Sequence, residues 1–243
     1  NSVTLQNGGT LSAATSGTAP TATGGTITVE GNTVQLNSGA TITTATSGPG
    51  NAGEVIVKAD NLTMNGGATI TAQSTGSGNA GNVTIQGLAS PADSVVISGF
   101  DENFNSSGIF TNTQGTGVGG NIFVNANSIA LSDGGTLSAK TTGPGNAGNI
   151  SIHADTLTLD GFFTQIQANT GRDSQGRGGN IDVQVRAASL TGGSSILANT
   201  EGLGDAGDIR IQAAQSIALT GGSFITSSSF DSGKGAGNAG LIH

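Results

Sequence analysis

The sequence predicts an all-β protein built as a parallel β-solenoid, in which successive coils of the chain stack on one another. Three observations support this prediction. Similar segments recur at a basic spacing of 28 residues. Apolar and polar residues alternate within each segment, and a Gly-Asn-Ala-Gly tag or a close variant precedes most of the segments. Internal repeats with a period of about 20 to 50 residues are typical of solenoid architectures.

The repeat unit emerges when the segment that starts at Ile27 is aligned with the segment that starts at Val55. Equivalent starts follow at Val83, Ile122, Ile150, Ile181, Ile209 and Ile242. Successive starts are 28, 28, 39, 28, 31, 28 and 33 residues apart. A coil of 28 residues with occasional insertions therefore describes the chain, and we expect residues 1–243 to form one solenoid segment of about eight coils.

Each coil is predicted to contain three short strands separated by bends. In the unit that starts at Val55, alternation occurs over residues 55–57, 62–64 and 68–72. Alternation with a period of two is typical of a strand with one buried face. The Asn65-Gly66-Gly67 segment and the glycine-rich tag are interpreted as turns, because glycine adopts positive φ at little steric cost.

Stacking the coils in register would place like residues on like. Leu62 would then lie beside Val95, Ile129 and Leu157 in neighbouring coils. Full burial of one such side chain is worth about 1.5–3 kcal/mol, whereas ordering the backbone costs about 1–2 kcal/mol per residue. A single coil is therefore not expected to be stable alone, and the fold requires stacked coils around a narrow aliphatic core.

The second position of the tag carries an amide or carboxylate side chain in five coils. We interpret this position as a side-chain ladder along one corner of the solenoid, formed by Asn51, Asn79, Asn146, Asp205 and Asn238. The position just before the first strand of each coil suggests a second ladder, formed by Glu54, Asn82, Asn121, Asn149, Asn180, Asp208 and Leu241. Both rows are predicted to be structural.

Two coils carry extra residues, near 86–107 and 162–180. Insertions in solenoids map to surface loops, often on a binding face. Four phenylalanines in these insertions are predicted to cover the side or a corner of the coil: Phe100, Phe104, Phe162 and Phe163. In the second insertion, Arg172, Asp173 and Arg177 are interpreted as a surface ion-pair cluster.

Asp101, Glu102 and Asn103 are the best candidate binding residues, because they adjoin one another in an inserted loop. They suggest a contact with a cation or a sugar, although a solvated loop is the simpler interpretation. Glycoside hydrolysis needs two carboxylates at a defined separation, and zinc needs three or four clustered ligands. The acidic residues are scattered, and His153 and His243 belong to different coils. We therefore predict no catalytic residue, no metal, no cofactor and no enzymatic activity.

Composition restricts the classes of partner. The formal net charge is −8, which disfavours nucleic acid and anionic membrane surfaces because both attract basic residues. No apolar run approaches the roughly 20 residues of a membrane span. The chain has no cysteine, which excludes disulfides and thiolate metal sites. Abundant asparagine and glycine suit an extracellular bacterial protein.

The repeats are similar to those of a known family. The segments "GNAGNVTIQ", "GNAGNISIHADTLTLDG" and "SGIFTNTQGTGVGGNIFV" resemble the repeats of filamentous-haemagglutinin-like proteins, the large passengers of two-partner secretion, in the Gly-Asn-rich type common in cyanobacteria. The resemblance covers essentially the whole chain. It implies a right-handed parallel β-helix that serves in adhesion or in building a surface matrix. The Asn-Pro-Asn motifs of the family's secretion domain do not occur in the sequence.

The sequence therefore predicts a secreted or cell-surface structural protein: the shaft of an adhesin, or a subunit of an extracellular filament. Neither end carries a polar capping segment or a helical pattern, so both ends are expected to be uncapped. Exposed sheet edges recruit further strands, which suggests copies or coils of the same protein stacked end to end. Cell-surface glycans are a further expected partner. The alternative function is that of a carbohydrate-active or carbohydrate-binding β-helix.

Overall fold

The chain consists of strands and turns throughout the part that a computed structural model describes, residues 1–89, 91–172, 174–230 and 235–243. None of these ranges contains a helix with the length and apolar character needed to cross a membrane. The strands are β1 (Ser2–Leu5), β2 (Thr10–Ser12), β3 (Ile27–Asn37), β4 (Thr41–Thr43), β5 (Val55–Asn65), β6 (Thr69–Thr71), β7 (Val83–Gln86), β8 (Ala92–Ser98), β9 (Gly108–Phe110), β10 (Ile122–Ser132), β11 (Thr136–Ser138), β12 (Ile150–Asp160), β13 (Gln165–Gln167), β14 (Ile181–Thr191), β15 (Ser195–Leu197), β16 (Ile209–Leu219) and β17 (Phe224–Thr226).

The strands form two parallel sheets that run along the stack. Sheet A has nine strands in the order β1-β3-β5-β7-β10-β12-β14-β16, with β8 pairing both β5 and β10. Sheet B has eight strands in the order β17-β15-β13-β11-β9-β6-β4-β2. Each coil contributes a long segment to sheet A and a three-residue strand to sheet B. This arrangement confirms the predicted all-β parallel β-solenoid.

The predicted register is also confirmed. Leu62 pairs with Val95, Val95 with Ile129 and Ile129 with Leu157. The paired residues in sheet A are equivalent by sequence alignment even where 39 residues separate them, as for Val83 and Ile122. The repeated residues therefore recur because successive coils stack directly on one another.

The number of strands per coil differs from the predicted three. The first two predicted strands are continuous in most coils and form one strand of 11 residues, such as β5. Within the described residues, one coil has them as two separate strands, β7 (Val83–Gln86) and β8 (Ala92–Ser98). The third predicted strand is present as a three-residue element, such as β6. Alternation did not reveal this continuity because Asp60 and Asn61 interrupt the apolar pattern, whereas the register is the same at Ala59 and at Asn61.

The core is a narrow column between sheets A and B. It is built from valine, isoleucine, leucine and alanine with one methionine, Met64, and the large side chains in it are fully buried. Isolated parallel bridges extend the stack beyond sheet B through a row of threonine and serine residues, such as Thr141, Thr170 and Thr200. Most of this row is buried as well, so the coil is closed by a polar seam of hydroxyl groups.

The tag glycines have a different role from the predicted one. Gly66 and Gly67 in the Asn-Gly-Gly turn have φ of 62° and 78°, as expected. The tag glycines have no such φ; a Cβ on Gly148 would instead lie 1.9 Å from the carbonyl oxygen of Gly120. The equivalent Cβ on Gly120 would lie 1.8 Å from the oxygen of Gly81. Glycine is required at this corner because neighbouring coils approach too closely for any side chain.

Candidate functional site

The loop of candidate binding residues is held by its own hydrogen bonds. Asp101 Oδ1 accepts from the backbone N–H of Asn103 and of Asn105, both at 2.8 Å, and its Oδ2 accepts from Asn105 Nδ2 at 2.8 Å. These bonds lower the pKa of the Asp101 carboxyl, and the largest cause is the side-chain bond from Asn105. The carboxylate therefore acts first as a loop-forming group.

Asp101, Glu102 and Asn103 line a cavity of 400 Å³ together with Ser38, Gly39, Gly66 and Phe100. They lie close together, but the first of the three has its oxygens engaged within the loop. Across the described part of the chain, no group of three or more histidine, cysteine, aspartate or glutamate residues is placed to hold a metal ion.

The corner ladder of the tag is formed by side chains that accept from the next coil. Asn51 Oδ1 accepts from the N–H of Asn79, and Asn79 Oδ1 accepts from the N–H of Val118, both at 2.9 Å. Asp205 Oδ1 accepts from the N–H of Asn238 at 2.8 Å. The side chains of Val118 and Arg177 have no oxygen that could accept a bond from the next coil. The ladder therefore consists of three short runs, which end at Val118, Arg177 and Asn238.

The second ladder is longer and contains no such break. It starts at Glu54, whose Oε1 accepts from Asn82 Nδ2 at 3.4 Å. Each later rung is an Oδ1 that accepts from the backbone N–H of the next member, over distances of 2.8–2.9 Å, along Asn82, Asn121, Asn149, Asn180, Asp208 and Leu241. All the bonds point in one direction, so this ladder joins successive coils independently of the sheets.

Breaking one rung of the second ladder is expected to destabilise the stack modestly. Asn149→Ala removes the acceptor of the Asn180 N–H, and a lost hydrogen bond at such a position costs about 1 kcal/mol. Asn149→Asp keeps the acceptor oxygen and should lose less. Denaturant titration followed by circular dichroism measures both changes, with Asn125→Ala on the outward face of β10 as the control. Equal losses for the alanine and aspartate variants would contradict a role for the acceptor.

The two ladders border a groove of 660 Å³ floored by Ala147, Gly148 and Ala206. Arg177 Nη2 lies 3.3 Å from Oδ2 of Asp205, which belongs to the next coil. Arg177 was predicted to belong to an ion-pair cluster with Arg172 and Asp173. Among the described residues it pairs with Asp205; the part of the prediction that concerns Asp173 lies outside the described residues. The groove is therefore lined by polar side chains that recur in successive coils along the axis.

Asp205 is expected to link stability to pH. Its pKa is lowered, chiefly by the backbone N–H of Asn238 and further by the charge of Arg177. Because the folded-state pKa lies below that of the unfolded chain, the contribution is complete above the ordinary aspartate pKa and disappears as the pH falls through the lowered value. Asp205→Asn keeps the acceptor for Asn238 but should show a flatter acid limb of stability against pH. An unchanged limb in urea titrations would contradict this expectation.

A second concave site is formed where the two insertions meet, and sequence reasoning did not find it. The ring centroids of Phe100 and Phe163 are 6.5 Å apart, and those of Phe100 and Phe104 are also 6.5 Å apart. Phe162 packs edge-on against Phe163 at 4.6 Å. Phe104, Phe162 and Phe163 are 84%, 67% and 59% exposed. The phenylalanines predicted to cover the coil thus form an exposed aromatic cluster.

Glycines of intervening turns provide the space for these rings. A Cβ on Gly134 would lie 2.0 Å from Phe100 Cζ, and a Cβ on Gly193 would lie 2.9 Å from Phe162 Cδ2. Phe100 therefore lies over the turn of the next coil and reaches Phe163 in the coil beyond it. A sequence signal was present, since both insertions follow the same strand position, after Ile97 and after Leu159.

The chain was also compared with protein-family models, curated proteins and solved structures. No family model, no curated protein and no solved structure matches it.

Proposed function

We propose that this chain is a structural segment of an extracellular bacterial β-solenoid, serving as the shaft of a secreted adhesin or as part of a surface filament. The observation that carries the proposal is the continuous parallel stack of sheets A and B. A β-solenoid of this kind is consistent with a structural repeat protein. The resemblance of the Gly-Asn-Ala-Gly repeats to filamentous-haemagglutinin-like proteins supports the finer assignment to two-partner secretion.

The hydrogen bonds support a mechanical role. In a stacked solenoid the inter-strand bonds run along the long axis, with neighbouring strands about 4.8 Å apart. The second ladder adds further bonds in the same direction, such as that from the Asn121 N–H to Asn82 Oδ1 at 2.9 Å. Stretching the molecule along its axis would load two sheets and the ladder together, which suits a shaft.

Localisation tests the extracellular part of the proposal. Antibodies raised against the purified chain should label intact, unpermeabilised cells of the encoding bacterium by immunogold electron microscopy. The same antibodies should detect the protein in the medium or in the outer-surface fraction. Labelling confined to permeabilised cells would contradict the proposal. A strain that lacks the gene provides the control.

End-to-end association is part of the same proposal. Ile217 and Leu219 in β16 are 46% and 41% exposed, whereas their paired equivalents Ala188 and Leu190 are 3% and 0% exposed. A further coil stacked on β16 would bury them, and edge strands recruit such partners. We propose that a second copy or further coils of the same protein cover this end.

Sedimentation velocity tests the association of purified chains. The wild type should form larger species as its concentration rises. The double variant Ile217→Lys and Leu219→Lys should remain monomeric, because two charges would be buried in the contact. Gln212→Lys, on the outward face of the same strand, is the matched control and should associate like the wild type. A wild type that is monomeric at every concentration would contradict end-to-end stacking by this chain.

A carbohydrate-active enzyme is the alternative function, and we propose a non-catalytic role instead. Hydrolysis by two carboxylates requires an acid and a base or nucleophile on one site, and Asp101 is engaged with Asn103 and Asn105. Incubation with a polysaccharide panel tests the choice. Release of reducing ends that is abolished by Asp101→Asn would overturn the non-catalytic proposal.

A further inference from the structure

Beyond the structural role, we propose that the cleft between the two inserted loops is a binding site for neutral oligosaccharides. The cleft has a volume of 570 Å³ and lies on sheet B. Phe100, Phe104, Phe110 and Phe163 supply its aromatic walls. Ligand sites are usually clefts of about 300–1,000 Å³ with apolar walls and a few placed polar groups.

The polar groups of the cleft suit hydroxyl groups. The lining includes four polar residues: Thr136 of β11, Gln165 and Gln167 of the neighbouring strand β13, and Ser106. A glutamine amide offers both a donor and an acceptor, and a hydroxyl offers the same. Sugar rings present C–H groups on one face and hydroxyl groups at their edges. The negative face of an aromatic ring attracts the C–H groups, while amides and hydroxyls bond the edges.

Charge and size favour a sugar over a protein partner. Each of the eight lining residues is uncharged, so the cleft offers no counter-charge to an acidic polysaccharide or to a charged peptide. A stable protein interface involves about 20–30 residues on each partner, whereas eight residues line this cleft. The cleft instead matches a few pyranose units.

Backbone conformation supports a ligand role independently. Phe104 and Phe163 have φ of 62° and 70°. Positive φ is a genuine outlier for a bulky residue, and such strain clusters at ligand clamps. Glycine would occupy these positions without strain. The sequence places two exposed phenylalanines where folding favours glycine, and presentation of the rings to a ligand accounts for the choice.

The test starts with a glycan microarray that holds neutral probes (cellohexaose, laminarihexaose, maltohexaose, xylohexaose and mannohexaose) and acidic probes (oligogalacturonate and alginate oligomers). We expect at least one neutral probe to bind and the acidic probes to bind more weakly. Isothermal titration calorimetry with the strongest neutral probe then gives the affinity. Absence of binding to every neutral probe, or preference for the acidic probes, overturns the proposal.

Three variants assign the binding to the cleft. Phe104→Gly removes an exposed ring and relieves its positive φ, so the affinity should fall at least 10-fold while the thermal midpoint stays equal or rises. Gln165→Met keeps the side-chain length but loses both polar atoms, and the affinity should also fall. Phe123→Ala, on the outward face of sheet A beside His153, is the matched control and should bind like the wild type.

The outcomes separate this site from the other proposals. An affinity that is unchanged in Phe104→Gly places any observed glycan binding elsewhere and overturns the assignment. An affinity for the same glycan probe that is unchanged or higher in Gln165→Met would show that the glutamine amide does not bond the sugar, and would also overturn the assignment. Neither result depends on end-to-end stacking, because Phe104 and Gln165 lie in the cleft, whereas the residues proposed to mediate stacking lie in β16.

Discussion

Gly148→Ala is expected to cause a severe loss of stability. The added Cβ would lie 1.9 Å from the oxygen of Gly120 and 2.6 Å from its carbon. Both atoms are backbone, so neither can move without displacing the neighbouring coil. Losses above about 4 kcal/mol are exceptional for point variants and arise from such overpacking. We expect the variant to unfold at a much lower urea concentration or to accumulate in aggregates.

Gly31→Ala is the matched control. Its added Cβ meets nothing closer than 3.4 Å, and the residue paired with it in β5 is already alanine, Ala59. Replacing glycine by alanine where the backbone conformation allows it stabilises a protein by about 0.4–1 kcal/mol. Urea midpoints of the two variants should therefore shift in opposite directions. Equal shifts would show that the corner can open to admit a side chain.

Leu159→Ala is expected to create a cavity in the middle of the stack. Leu159 is 0% exposed and lies between Leu131 and Leu190 in the paired register. Truncations of buried leucine to alanine cost about 2–5 kcal/mol. Leu197→Ala is the control, because Leu197 faces outward from sheet B and is only partly buried.

The location of the damage is informative as well. Stability in a solenoid is approximately a sum of coil terms and nearest-neighbour interfaces. Hydrogen exchange should therefore show the greatest loss of protection in β10, β12 and β14, with a smaller loss in β3 and β5. A uniform loss across all strands would instead indicate that the stack unfolds as one cooperative unit.

The repeat made most of the fold predictable. Chemical similarity at a fixed spacing identified which residues pair, and Leu62, Val95, Ile129 and Leu157 are paired as the alignment required. The reason for the tag glycines was not predictable from one coil. Positive φ is a property of a single residue, whereas the clash at Gly148 arises from the carbonyl oxygen of another coil.

The candidate site was predicted less well for a related reason. Asp101 and Glu102 attracted attention because they are adjacent in sequence and charged, yet the carboxylate of Asp101 is occupied by its own loop. The aromatic cleft depends on Phe100 and Phe163, which are two coils apart and meet only across Gly134. The sequence feature that brings the two rings together is the shared bend of the two insertions, after Ile97 and after Leu159.

The unidirectional amide ladder has a consequence for how such a chain can acquire new surfaces. Its five rungs to backbone N–H groups span 39, 28, 31, 28 and 33 residues of sequence, yet all five bonds are 2.8–2.9 Å long. Chain length between rungs is thus decoupled from the axial rise. We therefore expect the bends between rungs to accept foreign segments of about ten residues, because a longer surface loop costs little additional closure entropy. The coils above and below should keep their structure, so such a chain could carry inserted peptides on its surface.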